Sequence, residues 1–96
     1  MDLMKYIPVG RQNAVTAEKL AARTGKSVRT VMKEIHRLRA AGKLIVSTTE
    51  RPHGYFIPRS DDQKAVRHFV NTMYSRIKRI EEATRPAIEF LKNRSL

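Results

Sequence analysis

Between positions 26 and 37 the chain sets Lys26, Arg29, Lys33 and Arg37 around the hydroxyls of Ser27 and Thr30, with Glu34 as the one acid in the run. Ammonium and guanidinium groups only donate hydrogen bonds, and repeated at steps of three and four they suit a polyanion rather than bond-making chemistry. Arg51 adds a further cation within the polar stretch Ser-Thr-Thr-Glu-Arg-Pro-His-Gly.

Other chemistries lack their residues. Gly25-Lys26-Ser27 imitates the end of a phosphate-binding loop, but Leu20 stands where that pattern needs its first glycine and no strand precedes it. His36, His53 and His68 are not spaced as ligand pairs on one helix, and the chain has no cysteine, so neither a zinc site nor a disulfide is expected. Asp61-Asp62 and Glu81-Glu82 are adjacent pairs that point apart on a helix, unlike an acid/base couple. No nucleophile lies near a base. The expectation is a non-enzymatic chain without cofactor or metal.

Ninety-six residues make one domain, with room for an appendage. The formal net charge is +11. Residues 26–59 hold eight cations against Glu34 and Glu50, more than half of that surplus, which favours a binding face over general solubility. No apolar run reaches the roughly 18–20 residues of a membrane span, and no export signal is legible. The expected location is the cytoplasm, in association with the nucleoid.

The elements that must position these side chains follow from periodicity. Asp2 is placed to cap a short helix through Leu3, Met4, Tyr6 and Ile7, stopped by Pro8 and Gly10, and Ala14-Val15 reads as a very short strand. Thr16 caps the next helix, which turns Leu20 and Ala21 inward and ends at a left-handed Gly25. Ser27 caps a longer helix whose Val28, Val31, Met32, Ile35 and Leu38 form one apolar stripe, with Arg29, Thr30, Lys33 and Arg37 on the other side and Gly42 at its end. Leu44-Ile45-Val46 and Tyr55-Phe56-Ile57 read as a hairpin, one aromatic inward and one outward, with Arg51 and His53 at the exposed tip. The fold class is mainly α with a small β-hairpin.

From Asp61 onward the period changes. Val66, Val70, Met73, Ile77, Ile80, Thr84, Ala87 and Leu91 alternate steps of four and three, a heptad seam, with Ser60, Asp61 and Asp62 as cap and acidic first turn. Phe69, Tyr74, Ile88 and Phe90 lie off the seam and widen it. Pro86 falls inside the pattern and predicts a kink or restart near Thr84. Such a helix either pairs with its copy or folds back on its own core, and two-fold pairing is the favoured expectation through Val66, Val70, Met73, Ile77, Ile80, Thr84 and Leu91.

Leu20-Ala21, Gly25, Ser27, Arg29-Thr30-Val31, Ile35, Leu38 and Gly42-Lys43-Leu44-Ile45 together resemble the winged helix-turn-helix of small bacterial and phage DNA-binding regulators, over about residues 14–58. The resemblance implies a winged helix-turn-helix domain, expected over 1–59, and the heptad seam makes 60–96 the expected dimerising C-terminal helix. It further implies that Ser27 and the amides beside it bind a phosphate. Arg29 then pairs with guanine, Thr30 meets a phosphate or a thymine methyl, and Lys33 reaches base edges. Lys26 and Arg37 lie near the flanking backbone, and Arg51 is the wing-tip contact. The implied partner is double-stranded DNA, read by a homodimer that regulates transcription, most simply as a repressor; no small-molecule effector can be read. A protein-docking module and an architectural or recombination-directionality factor are the alternatives.

Overall fold

Two hydroxyl side chains start the helices that matter most. In the computed structural model, which describes residues 2–94, Thr16 Oγ1 accepts from the Lys19 N–H at 3.2 Å and opens α1 (Ala17–Thr24). Ser27 Oγ accepts from the Thr30 N–H at 3.1 Å and opens α2 (Val28–Ala40). Each bond satisfies an amide that has no intrahelical partner, worth about 1 kcal/mol. Between the helices Gly25 takes φ 69° and ψ 18°, the left-handed conformation in which a side chain is strained.

Leu20 of α1 meets Val31, Ile35 and Leu38 of α2 in a core completed by Leu3, Ile7, Val15, Ala17 and Ile45. Val28 and Ala21 pack at its edge. Met32 does not join them: it is 52% exposed. The buried residues of α2 share one face, and the residue after Val31 is turned about 100° away from it.

The N-terminal segment is a 3-10 turn, Leu3–Tyr6, and the Asp2 side chain makes no capping bond. Its N–H groups bond three residues back, Lys5 to Asp2 and Ile7 to Met4, and burial of Leu3 and Ile7 fixes it to the core.

The hairpin is shifted from its expected place. β1 (Val46–Thr48) pairs antiparallel with β2 (Gly54–Phe56) in the register Val46 to Phe56, Ser47 to Tyr55 and Thr48 to Gly54. Leu44 is exposed and outside the ladder. The end of α2 accounts for this: Gly42 and Lys43 donate back to Arg39 and Leu38, and the Ile45 carbonyl is taken by Arg39 Nε at 3.0 Å. Ile57 leaves β2 because its N–H donates to Pro8 and its carbonyl accepts from Gly10, each at 2.8 Å. Ala14-Val15 forms no strand of its own. Val15 makes one antiparallel bridge to Tyr55, with N–O distances of 2.7 and 3.1 Å. That close approach requires Gly54, where φ is 119° and a Cβ would stand 1.9 Å from the Val15 carbonyl oxygen.

Both hairpin aromatics are covered, on opposite faces. Tyr55 packs against the main core, while Phe56 is fully buried in a second cluster with Ala14 and Val46. Neither is a free stacking platform for single-stranded bases. The outer wall of the second cluster is Ala65, Val66 and Phe69, which belong to α3 (Gln63–Arg94).

The start of α3 departs from the expected acidic first turn, which contains no acid. Asp62 stands just before it and its Oδ2 accepts from the Arg59 N–H at 2.8 Å and the Arg11 N–H at 3.2 Å, tying three stretches of chain together. The helix is continuous across Pro86, so there is no restart near Thr84. Pro86 costs the helix one backbone donor, and just before it the Thr84 hydroxyl donates to the Ile80 carbonyl at 2.6 Å. From Tyr74 to Asn93 every α3 residue is exposed. The helix thus begins as part of the core and continues away from it, and the molecule measures 54 × 31 × 23 Å. Arg39 joins the two parts: its guanidinium lies 5.0 Å from the Phe69 ring and 5.7 Å from that of Tyr55. Its Nη2 is buried without a hydrogen-bond partner among the described residues, so the ring faces are its compensation. Burial pushes its pKa down, and neighbouring Arg76 adds to that. Among the described residues no helix is long and apolar enough to cross a membrane.

Candidate nucleic-acid interface

Packing α2 onto Leu20 through Val31, Ile35 and Leu38 leaves its opposite face in solvent. There Val28, Arg29, Met32, Lys33 and His36 line a single shallow groove along the helix. Arg29 and Lys33 are exposed, and neither makes an ion pair or a side-chain hydrogen bond among the described residues. Two cations whose charge nothing in the chain offsets border an apolar floor formed by Met32 and Val28. Chemically this matches a base-pair edge: donors for guanine O6 and N7, and an apolar surface for a thymine methyl.

Lys26, Ser27, Thr30, Arg37 and Arg51 are all exposed, but they differ in what holds them. Ser27 Oγ, besides accepting from the Thr30 amide, donates to Thr30 Oγ1 at 2.9 Å, so the two hydroxyls brace each other at the helix start. The remaining free amides of that first turn stay available for an anion. Arg37 is paired. Its Nε donates to Glu34 Oε1 at 2.9 Å and its Nη2 binds the same oxygen. The hydrogen bond to Arg37 holds the Glu34 carboxyl below its usual range, and Glu34 raises Arg37. Of the cations on α2 that face solvent, Arg37 is therefore the one already neutralised.

Thr30 and Arg37 fall outside the groove that Arg29 and Lys33 border. Arg51 stands apart from it as well, in a second hollow shared with Ala14, Thr16, Lys19, Pro52 and His53. The hairpin tip is held there by Arg11, which pairs with Glu50 at 3.0 Å and donates from both terminal nitrogens to the Arg51 carbonyl at 3.4 Å. That pairing cancels Glu50 and leaves the Arg51 charge uncompensated. Lys26 shares a third hollow with Asp2, Lys5, Tyr6 and Thr24. Arg29 and Lys33 thus share one groove, Arg51 and Lys26 each line a separate hollow, and Ser27, Thr30 and Arg37 line none of the three.

Residue spacing missed Met32 and His36 on the solvent face of α2, and Lys5, Tyr6 and Lys19 in the other two hollows. Met32 was legible: one position after a core valine and three before a core isoleucine, it lies at the stripe's edge. Lys5, Tyr6 and Lys19 carried no signal, because only the three-dimensional arrangement of the first turn and α1 brings them beside Lys26 and Arg51. Among the described residues no group of His, Asp or Glu is placed to hold a metal ion.

The helix-turn-helix (HTH) domain family matches residues 3–56, from the first turn to the end of β2. No curated protein and no solved structure matches the chain.

Proposed function

The chain belongs to the HTH domain family, a DNA-binding kind of domain, and from that premise we propose that it binds double-stranded DNA sequence-specifically as a dimer and regulates transcription. In this reading α2 lies in the major groove. Arg29 and Lys33 reach base edges, and Met32 and His36 complete the reading face. Ser27 with the α2 amides and Lys26 hold one phosphate run, Arg37 lies towards the flanking backbone, and Arg51 at the hairpin tip touches the adjoining backbone. Residues 1–59 act as the reading head, closed by Ala65, Val66 and Phe69 at the start of α3, and the rest of 60–96 acts as the pairing element, so that Val66, expected in the pairing seam, serves the head instead. Occupancy of an operator makes the regulator a repressor in the simplest case, acting on the nucleoid of a bacterium or on a mobile genetic element.

The observation that carries this reading is the outward face of α2, where Arg29 and Lys33 stand without a counter-charge beside an apolar floor. An ordinary solvated helix face interleaves acids with bases, as Glu34 and Arg37 do one side over. The test is a titration of duplex DNA over a series of salt concentrations. Neutralisation of about five phosphates per head gives a log–log slope near −4 to −5 per head. Indifference to duplexes at low ionic strength would end the proposal.

A further inference from the structure

Beyond Met73 the seam of α3 is bare: Ile77 is 49% and Ile80 64% exposed, with Tyr74 and Ile88 exposed beside them. Its start is occupied in cis, since Val66 and Phe69 seal the hairpin cluster. A folding-back of α3 over the helix-turn-helix is therefore not what covers the rest. We propose that this stretch pairs with α3 of a second copy of the chain, parallel and in register, so that Arg76 of each copy meets Glu81 of the other. This rests on the dimeric reading above and adds its direction and register.

Charge complementarity carries the direction. With Ile77, Thr84 and Leu91 at a positions and Met73, Ile80 and Ala87 at d positions, Arg76 falls at g and Glu81 at e. In a parallel pair each g residue faces the e residue five places further along the other helix, and two-fold symmetry makes the contact twice. Glu81 has no ion pair among the described residues, and Arg76 has only a 3.7 Å contact to the Met73 sulfur. Both charges await partners. An antiparallel pair sets like positions together, and the register centred on the Met73–Ile77 step brings Arg76 onto Arg76. That repulsion would fall beside Arg39, which already shares its surroundings with Arg76. Pro86 takes a c position on the side away from the seam, so its ring does not intrude on the contact. Parallel pairing also places both heads at one end of the assembly, an arrangement that suits two adjacent half-sites.

The chain has no cysteine, so introduced thiols report cleanly on geometry. Ile77→Cys and Thr84→Cys, made separately in the full chain and mildly oxidised, are both expected to give disulfide-linked dimers, because each then faces its own copy within bonding distance. The outward Glu82→Cys is expected to give none. Any antiparallel register sets at most one of the two positions opposite itself, so linkage at one alone, or at neither, overturns the proposal. Sedimentation adds a second measurement. Arg76→Glu and Glu81→Arg should each weaken the dimer about tenfold, and the double exchange should restore it to within about twofold. A chain that sediments as a monomer at tens of micromolar also overturns it. Neither readout involves DNA: a parallel dimer that ignores duplexes removes the DNA reading alone, and a monomer that binds them removes the pairing alone.

Discussion

The two long helices expose their sides to water in opposite ways. α2 buries Val31, Ile35 and Leu38 and turns outward a face bordered by Arg29 and Lys33. Among the described residues α3 packs on the core at its start, through Ala65, Val66 and Phe69, and beyond that it exposes Ile77, Ile80 and Ile88 among mixed charges. A cationic face without acids is stable in water and gains by meeting a polyanion, whereas a bare aliphatic seam gains by removing itself from water. In the proposed reading that difference is a division of labour within one small chain: α2 is the helix that contacts DNA, and α3 the one that brings copies of the chain together.

The largest effect should come from breaking the α3 side alone. Ile80→Asp places a charge in the seam and is expected to abolish pairing and lower operator affinity by about 10²–10⁴-fold through lost avidity, with thermal unfolding of the head unchanged. Equal affinity in wild type and variant would show that the heads act singly. Gly54→Ala tests whether the hairpin is rigidly fixed to the head. Its Cβ would collide with the Val15 carbonyl, so urea unfolding should show a loss of about 2–3 kcal/mol. A loss under about 0.5 kcal/mol would show that the Val15–Tyr55 bridge yields freely.

Arg29→Ala separates base reading from general attraction. It should cost about 1–3 kcal/mol and relax preference at one base position, while Lys26→Ala weakens all duplexes alike. Ser27→Ala should cost about 1 kcal/mol of stability by leaving the Thr30 amide uncapped. The smallest change concerns Arg37. Glu34→Gln frees its guanidinium and should strengthen binding to every duplex a few-fold at low salt. Acid does the same: because the Glu34 carboxyl is lowered, the pair persists above the ordinary carboxylate range and is lost only as the pH falls through that lowered value. Binding at low salt that is indifferent to both changes would mean Arg37 stays clear of the backbone.

Much of this arrangement was legible in the residues. Thr16, Gly25 and Ser27 are local signals whose effect is local, so both helix starts and the turn could be read directly. The seam of α3 was likewise a matter of spacing. What spacing could not show is how far tertiary contacts compete for backbone groups. Arg39 takes the Ile45 carbonyl and Pro8 takes the Ile57 amide, and these two bonds shift both strands of the hairpin. Asp62 reads as a cap, yet its carboxylate serves Arg11, fifty-one residues away in sequence. The candidate site followed the same rule. Arg29 and Lys33 were readable as an outward pair, but the pairing of Arg37 with Glu34 and the separation of Arg51 from the groove depend on side-chain placement.

The most direct test of the central claim, that the outward face of α2 reads DNA, is selection of bound fragments from random duplexes, run in parallel with wild type and Arg29→Ala. The account predicts a two-fold site with half-sites about one helical turn apart, and a variant that loses preference at one base in each half while keeping the rest. No enrichment by the wild type, or an identical site selected by both proteins, would contradict it.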